Sequence, residues 1–402
     1  MRVCGSLRVG LFTAFIAAAW LGQQIPSADA QTRSSSPSSE AAKRTPPKES
    51  APRKDTGTSD PYATGLVTCT PQSTEFAIAQ DIATTLATGQ ETGPRGEVAL
   101  RVVPMVGNGG IRNVMDVLTL AGADMAIAPV VLVDRLREQR TLGDISDKLV
   151  YIAPLFIEEF HLLARPEIAG LTDLAGKTVN LGEEGSASAV LGREVLNRLD
   201  VKIIETNLGL DAALDGMRKG QIFATLLVSG KPVNVLARSA QADRLHFLPI
   251  PYSRELLQQD YLPSILRHED YPAIVEAGKS VDTIAIKSAL FAYNWPARHE
   301  RFRLLELFVQ TLFSRLPEFL GEPHHPKWQE VNLGGLLPGW RRFRPAERWL
   351  QQQSGGEAGL RNAFGRFLEQ KSKSNPKSES NPPDRDELFR EFMRWREREQ
   401  GR

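Results

Sequence analysis

The stretch Lys177–Leu196, KTVNLGEEGSASAVLGREVL, decides how the rest of the chain is read. Thr178–Leu181 is a short apolar-rich run, and Gly182-Glu183-Glu184-Gly185 follows it. Ser186-Ala187-Ser188 then opens a segment whose Val190, Leu191, Val195, Leu196 and Leu199 recur at helical spacing. The pattern is strand, glycine turn, helix. The first turn of such a helix leaves backbone N–H groups unpaired and carries the positive end of the helix dipole. Gly185, Ser186, Ala187 and Ser188 are therefore either an ordinary serine cap or a cradle for a carboxylate or phosphate.

The same unit repeats on both sides. Upstream, Leu66–Thr70 reads as a strand, and the loop Thr70-Pro71-Gln72-Ser73-Thr74-Glu75 opens a helix that runs to Leu86. Val98–Val103 is a second strand, followed by the turn Gly107-Asn108-Gly109-Gly110 and a helix face of Ile111, Val114, Met115 and Leu118. Asp124–Ala128 is a buried strand that breaks at Pro129 and Val130 into another helix. Downstream of the opening stretch, Lys202–Glu205 is a strand, Asp211–Met217 a helix and Ile222–Val228 a strand. Ser229-Gly230-Lys231-Pro232 starts the next helix, and Leu245–Ile250 closes the set. Such alternation implies an α/β fold with a mostly parallel sheet covered on both faces.

Val150–Pro154 and Glu159–Ala164 read as two further strands between the two sets. Val281–Phe291 reads as a long strand after a Tyr261–Gly278 connection, and Glu300–Phe313 as an amphipathic helix. The economical topology has two lobes, residues 61–158 with 284–350 and residues 159–283, joined by two hinge crossings. In open α/β sheets ligands lie beyond the carboxyl ends of the strands. One wall of an interlobe cleft is then Thr70, Gln72, Ser73, Thr74 and Glu75 with Asn108, Pro129 and Val130. The facing wall is Gly185–Ser188 with Ser229 and Lys231. Lys231 and Arg112 are the cations nearest these loops, and both residue types are more often solvated at the surface.

At 402 residues with a formal net charge of +1, the chain carries no global field that would favour nucleic acid or an anionic membrane. Arg2 and Arg8 precede an apolar run from Val9 to Leu21, and Ala28-Asp29-Ala30 follows, a pattern that predicts an export signal cleaved after Ala30. Residues 31–60, rich in Ser, Pro, Lys and Glu, read as a disordered tether. Residues 351–402 read as an extension with one short helix around Phe389, Phe392 and Trp395. Of the two cysteines, Cys4 falls in the signal and Cys69 reads as a plain buried thiol. His324 and His325 read as solvated loop residues, with no third ligand at metal-binding spacing. Ser186 has no evident base or orienting partner, so no catalytic residue, metal or cofactor is expected.

The pieces GGIRNVMDVLTLAGADMAIAP (Gly109–Pro129), APLFIEEFHLLARPEI (Ala153–Ile168) and LTDLAGKTVNLGEEGSASAVLGREVL (Leu171–Leu196) resemble the TAXI family of TRAP-transporter solute receptors. The resemblance covers roughly residues 65–291. It implies a type II periplasmic binding protein fold, and a receptor that captures a small organic anion or amino acid and delivers it to the membrane permease of a TRAP transporter. It also implies that the family's helix opening falls on Gly185–Ser188 and its first ligand loop on Thr70–Phe76. Glu75 in that loop opposes a bare carboxylate and suits a ligand with a cationic group. A sensor or scaffold of the same fold, acting on a membrane signalling protein, is the alternative role.

Overall fold

Near-continuous apolar runs and amphipathic helical segments dictate a sheet with helices on both faces, and the computed structural model has that form. It describes residues 60, 62–88, 100–236, 244–253 and 261–354, together with Phe364, Phe367, Phe392 and Trp395. The expected export signal and tether lie outside the described residues, Asp60 excepted. The elements run β1 (Ala63–Val67), α1 (Thr74–Ala87), β2 (Arg101–Met105), α2 (Gly110–Thr119), β3 (Ala123–Pro129), α3 (Val130–Gln139) and β4 (Leu149–Ala164). Then come β5 (Thr178–Asn180), α4 (Ala187–Arg198), β6 (Ile204–Thr206), α5 (Leu210–Arg218), β7 (Ala224–Ser229), β8 (His246–Phe247), β9 (Leu262–Arg267) and β10 (Ser280–Tyr293). The helices α6 (Glu300–Ser314) and α7 (Arg344–Ser354) follow.

Among the described residues ten strands form one sheet, in the order β2-β1-β3-β10-β4-β7-β5-β6, with β8 added to β4 and β9 to β10. β1 pairs in parallel with β2 and β3, and β5 pairs in parallel with β6 and β7. Between these two parallel sets, β4 and β10 run antiparallel to each other. β4 faces β10 through Glu159, where it also begins to pair with β7. β10 leaves β9 at Ala285 and joins β3 at Ser288. Two long strands thus pass side by side from one lobe to the other.

β4 is one strand of sixteen residues, where the sequence reads as two. Pro154, within the span, donates no ladder hydrogen bond. Here it stands opposite Ala289, beside a register shift between Lys287 and Ala289, and the irregularity absorbs it. β9 falls inside the span read as a connection. Its pattern, LPSILR, is masked by Pro263, and it pairs with β10 at the side of the main strand path, where proline is tolerated.

Apolar faces of α1 and α6 pack with Leu66, Ile127, Ile152 and Leu290 on one side of the first lobe. Val114, Val133, Ala126 and Phe291 fill its other side. In the second lobe α4 covers Val179, Leu226 and Phe160, and α5 covers Leu163, Phe247 and Tyr271. Under the first lobe a buried ion pair joins Arg301 of α6 to Asp124 of β3, which also accepts from Thr64 and the Trp295 indole. Past α7, Phe364, Phe367, Phe392 and Trp395 pack on one another, so the aromatic pair of the expected terminal helix has partners of its own. Among the described residues no helix is long and apolar enough to cross a membrane.

Candidate functional site

Parallel strands whose carboxyl ends point the same way deliver their following loops to one rim, and both lobes do so at their junction. In the second lobe β5 ends at Asn180, and positive φ angles at Gly182 (+83°) and Gly185 (+79°) turn the chain into α4. Ser186 is the N-cap, its Oγ accepting from Ala189 N at 3.1 Å. Ser188 accepts from Val228 N at 2.9 Å, which ties the first turn of α4 to β7. The opening stretch therefore has the strand–turn–helix form its sequence gives it.

The first lobe presses against this turn. Asn108 Nδ2 donates to Glu184 O at 2.8 Å. A Cβ on Gly110, whose φ is +59°, would lie 3.2 Å from Ala187 N. Between the two lobes remains a pocket of about 40 Å³. Its lining takes Cys69, Thr70 and Asn108 from the first lobe, and Asn180, Glu183, Ser186, Ser188 and Thr225 with backbone around Gly209 from the second. That volume holds about three water molecules.

Asn180 and Thr225 were not singled out in the sequence. Asn180 is 1% exposed and ties the β5 end to the next loop. Its Oδ1 accepts from Leu208 N at 2.8 Å, and its Nδ2 donates to Leu208 O and to Thr225 Oγ1. A polar residue closing an apolar strand was the available signal. The lining is neutral apart from Glu183, and no Lys, Arg or His belongs to it among the described residues. Cys69 also faces it, but burial first, and then the nearby Glu75, pushes its thiol far above the usual range, which suppresses the nucleophilic thiolate.

The remaining expected residues gather elsewhere on the junction, on each other. Ser73 caps α1 through Phe76 N at 3.1 Å. Thr74 N donates to Ser229 Oγ at 3.1 Å, Thr74 Oγ1 donates to Gly230 O, and Ser229 Oγ donates to Glu75 Oε2 at 3.4 Å. The end of α1 expected to hold a ligand is thus bonded to the facing lobe. Gln72 reaches Asp211 across the rim at 3.2 Å. Pro129 ends β3 and Val130 begins α3; both lie outside the pocket lining, with Pro129 in register with Ser288. Lys231 turns away from the pocket to Asp270, at 2.8 Å, and to Ile265 O. Arg112 is exposed and pairs with Asp116.

Sequence reading missed the most deeply buried part of the junction. Lys327, 1% exposed, reaches from the 3-10 turn Pro326–Glu330 to Glu159 Oε1 at 2.7 Å and Glu330 Oε1 at 2.7 Å. His324 and His325 are half-buried, a correction to the solvated-loop reading. His324 Nε2 bonds the Thr85 hydroxyl, while His325 N and the Trp328 indole both donate to Asp81 of α1. Trp328 is 1% exposed against Phe319, and its burial draws the whole segment inward. Beside Lys327 sit the buried carboxyls of Glu75, Glu158 and Glu159, all held above their ordinary range chiefly by burial.

Two parallel α/β lobes, two antiparallel crossing strands and a pocket between the lobes define a two-lobed protein of the type II periplasmic binding class. A profile of the NMT1-like family matches residues 66–336, more than half of the chain, and the chain belongs to that family. No curated protein sequence matches it. Solved structures similar to it include the periplasmic aliphatic sulphonate binding protein SsuA of Escherichia coli, at 13% identity and TM-score 0.36, over 64% of this chain and 72% of that one. A TctC solute binding protein from Polaromonas shares 11% identity at TM-score 0.37, over 67% and 86%. The regulatory domain of HypT from Salmonella typhimurium shares 10% at TM-score 0.38, over 65% and 98%.

Proposed function

We propose that the chain is an extracytoplasmic receptor that takes up a small polar solute at the lobe junction and releases it to a membrane permease, without catalysis. The observation that carries this is the pocket itself. It lies where the carboxyl ends of both strand sets meet, and the hydroxyl- and amide-bearing residues Thr70, Asn108, Asn180, Ser186, Ser188 and Thr225 line it from two lobes. Membership of the NMT1-like family and the paired crossings support the reading. The crossings at Glu159 and between Ala285 and Ser288 favour lobes of residues 61–158 with 284–350 and of residues 159–283.

The ligand reading shifts toward the amino-acid side of the expectation. A dicarboxylate brought beside Glu183 would find no cation in the lining, whereas an amino acid brings its own ammonium group and sets its carboxylate at the first turn of α4. The resemblance to TAXI receptors supports a TRAP-type permease as the partner and the periplasm as the compartment. The test is native mass spectrometry of the purified protein for a bound small molecule, then thermal-shift titration with amino acids and dicarboxylates. A cognate ligand at a hundredfold excess over Kd stabilises by about 2.7 kcal/mol. Melting unmoved by every amino acid and dicarboxylate would remove the proposal.

A further inference from the structure

The junction holds more buried acid than it holds buried base. Glu75 on α1 is 5% exposed, and Glu158 and Glu159 on β4 are both fully buried. Glu159 is matched by Lys327, whose second partner is Glu330. The other cation close by, Lys231, is committed to Asp270. His161 on β4 is fully buried against the Tyr271 hydroxyl, and burial pushes its pKa down to about 3, so it contributes no charge. Cys69, facing from the β1–α1 loop, stays a thiol. Among the described residues no cation forms an ion pair with Glu75 or Glu158; the Lys327 ammonium, paired with Glu159 and Glu330, only partly offsets the charge of Glu158.

Two charged carboxylates, neither with an ion-pair partner of its own, are not tolerated at such depth. The hydrogen bonds show what is missing. Glu158 Oε1 accepts from the Ser288 hydroxyl of β10, but Oε2 is buried with no donor facing it. Glu75 Oε2 accepts from Ser229, and the two carboxyls lie within hydrogen-bonding reach of each other. A single hydrogen on one carboxyl supplies the absent donor and removes one of the two charges.

We propose that Glu75 and Glu158 share one proton, forming a proton-binding site that joins α1 of the first lobe to the crossing strand and, through Ser229, to the second lobe. The proposal is independent of which solute the pocket takes. Its sign follows from the direction of both shifts: a carboxyl raised in the folded state contributes stability that is complete below its ordinary value of 4.5 and is lost as pH rises through the folded value. In that interval the folding equilibrium weakens about tenfold per pH unit for one proton.

Infrared spectroscopy of the full chain at neutral pH, with denaturation curves from pH 5 to 9, tests the site. The expected results are a protonated-carboxyl C=O band that Glu158→Gln removes, and a loss of wild-type stability with pH that the variant, whose amide keeps a donor in place, does not share. A wild-type spectrum without the band overturns the proposal. So does equal pH dependence in wild type and variant, or stability set by sodium concentration in place of pH. If Glu158→Gln does not fold, Glu75→Gln and the wild-type band decide in the same way.

Discussion

Replacing Lys327 by methionine separates a buried ion pair from an ornamental one. The ammonium lies 2.7 Å from Glu159 Oε1, with the two side chains 1% and 0% exposed. Removing it leaves a buried carboxylate facing a thioether. Breaking one partner of such a pair costs about 3–5 kcal/mol. Two details place this case toward the lower end. Glu159 Oε2 retains the Lys231 N–H at 3.0 Å, and Glu330, 37% exposed, can rehydrate. About 3 kcal/mol is therefore expected from urea denaturation at neutral pH, with about 2 kcal/mol recovered in Lys327→Met/Glu159→Gln, where the orphaned charge is gone. Without the ammonium, the folded Glu159 carboxyl rises further above its ordinary range, so the penalty should shrink toward pH 5 and grow toward pH 8. A cost below about 1 kcal/mol, or equal costs for the single and double variants, refutes the argument that Lys327 is needed to compensate Glu159.

Ser186→Trp fills the pocket at the start of α4 and should abolish any ligand-induced rise in Tm while circular dichroism stays native; an unchanged rise removes this turn from the site. Gly110→Ala adds a Cβ 3.2 Å from Ala187 N at a φ of +59°, and a stability loss of about 1–2 kcal/mol with weaker solute binding is expected by denaturation and titration. Asn180→Leu strips four hydrogen bonds from a buried position and should cost about 2–4 kcal/mol in urea; a cost under about 1 kcal/mol would mean that Asn180 does not organise the pocket floor. Arg301→Met leaves Asp124 charged at 1% exposure, and about 3–5 kcal/mol is expected in the same assay.

Local pattern carried much of the architecture. Gly182 and Gly185, with Ser186 behind them, announce the turn and cap of α4 within a few residues, and the structure builds them as read. The helix over residues 300–314 was legible because its apolar positions repeat at helical spacing. Local pattern reads β4 as two strands, whereas the register shift in β10 that accommodates Pro154 lies more than a hundred residues away. The same distance hid Lys327. A lysine in a proline-rich segment reads as solvated, and only the packing of Trp328 on Phe319, with Asp81 accepting from its indole, carries the neighbouring ammonium to Glu159. Glu75 is the opposite case: its charge is legible in the sequence and bears on the ligand, but its partners Ser229 and Glu158 are non-local.

The position of β10 also sets an order of events during synthesis. β10 lies between β3 and β4, yet it emerges more than a hundred residues after either of them. Until then the nascent first lobe has two strand edges facing a gap, with Ile127 and Ile152 uncovered, and the whole of the second lobe must be made before the gap closes. Exposed edges of this kind are sites of mispairing, and long-range closure is slow. The central seam therefore cannot form until β10 has been made, which leaves time for a holding factor to bind the incomplete sheet.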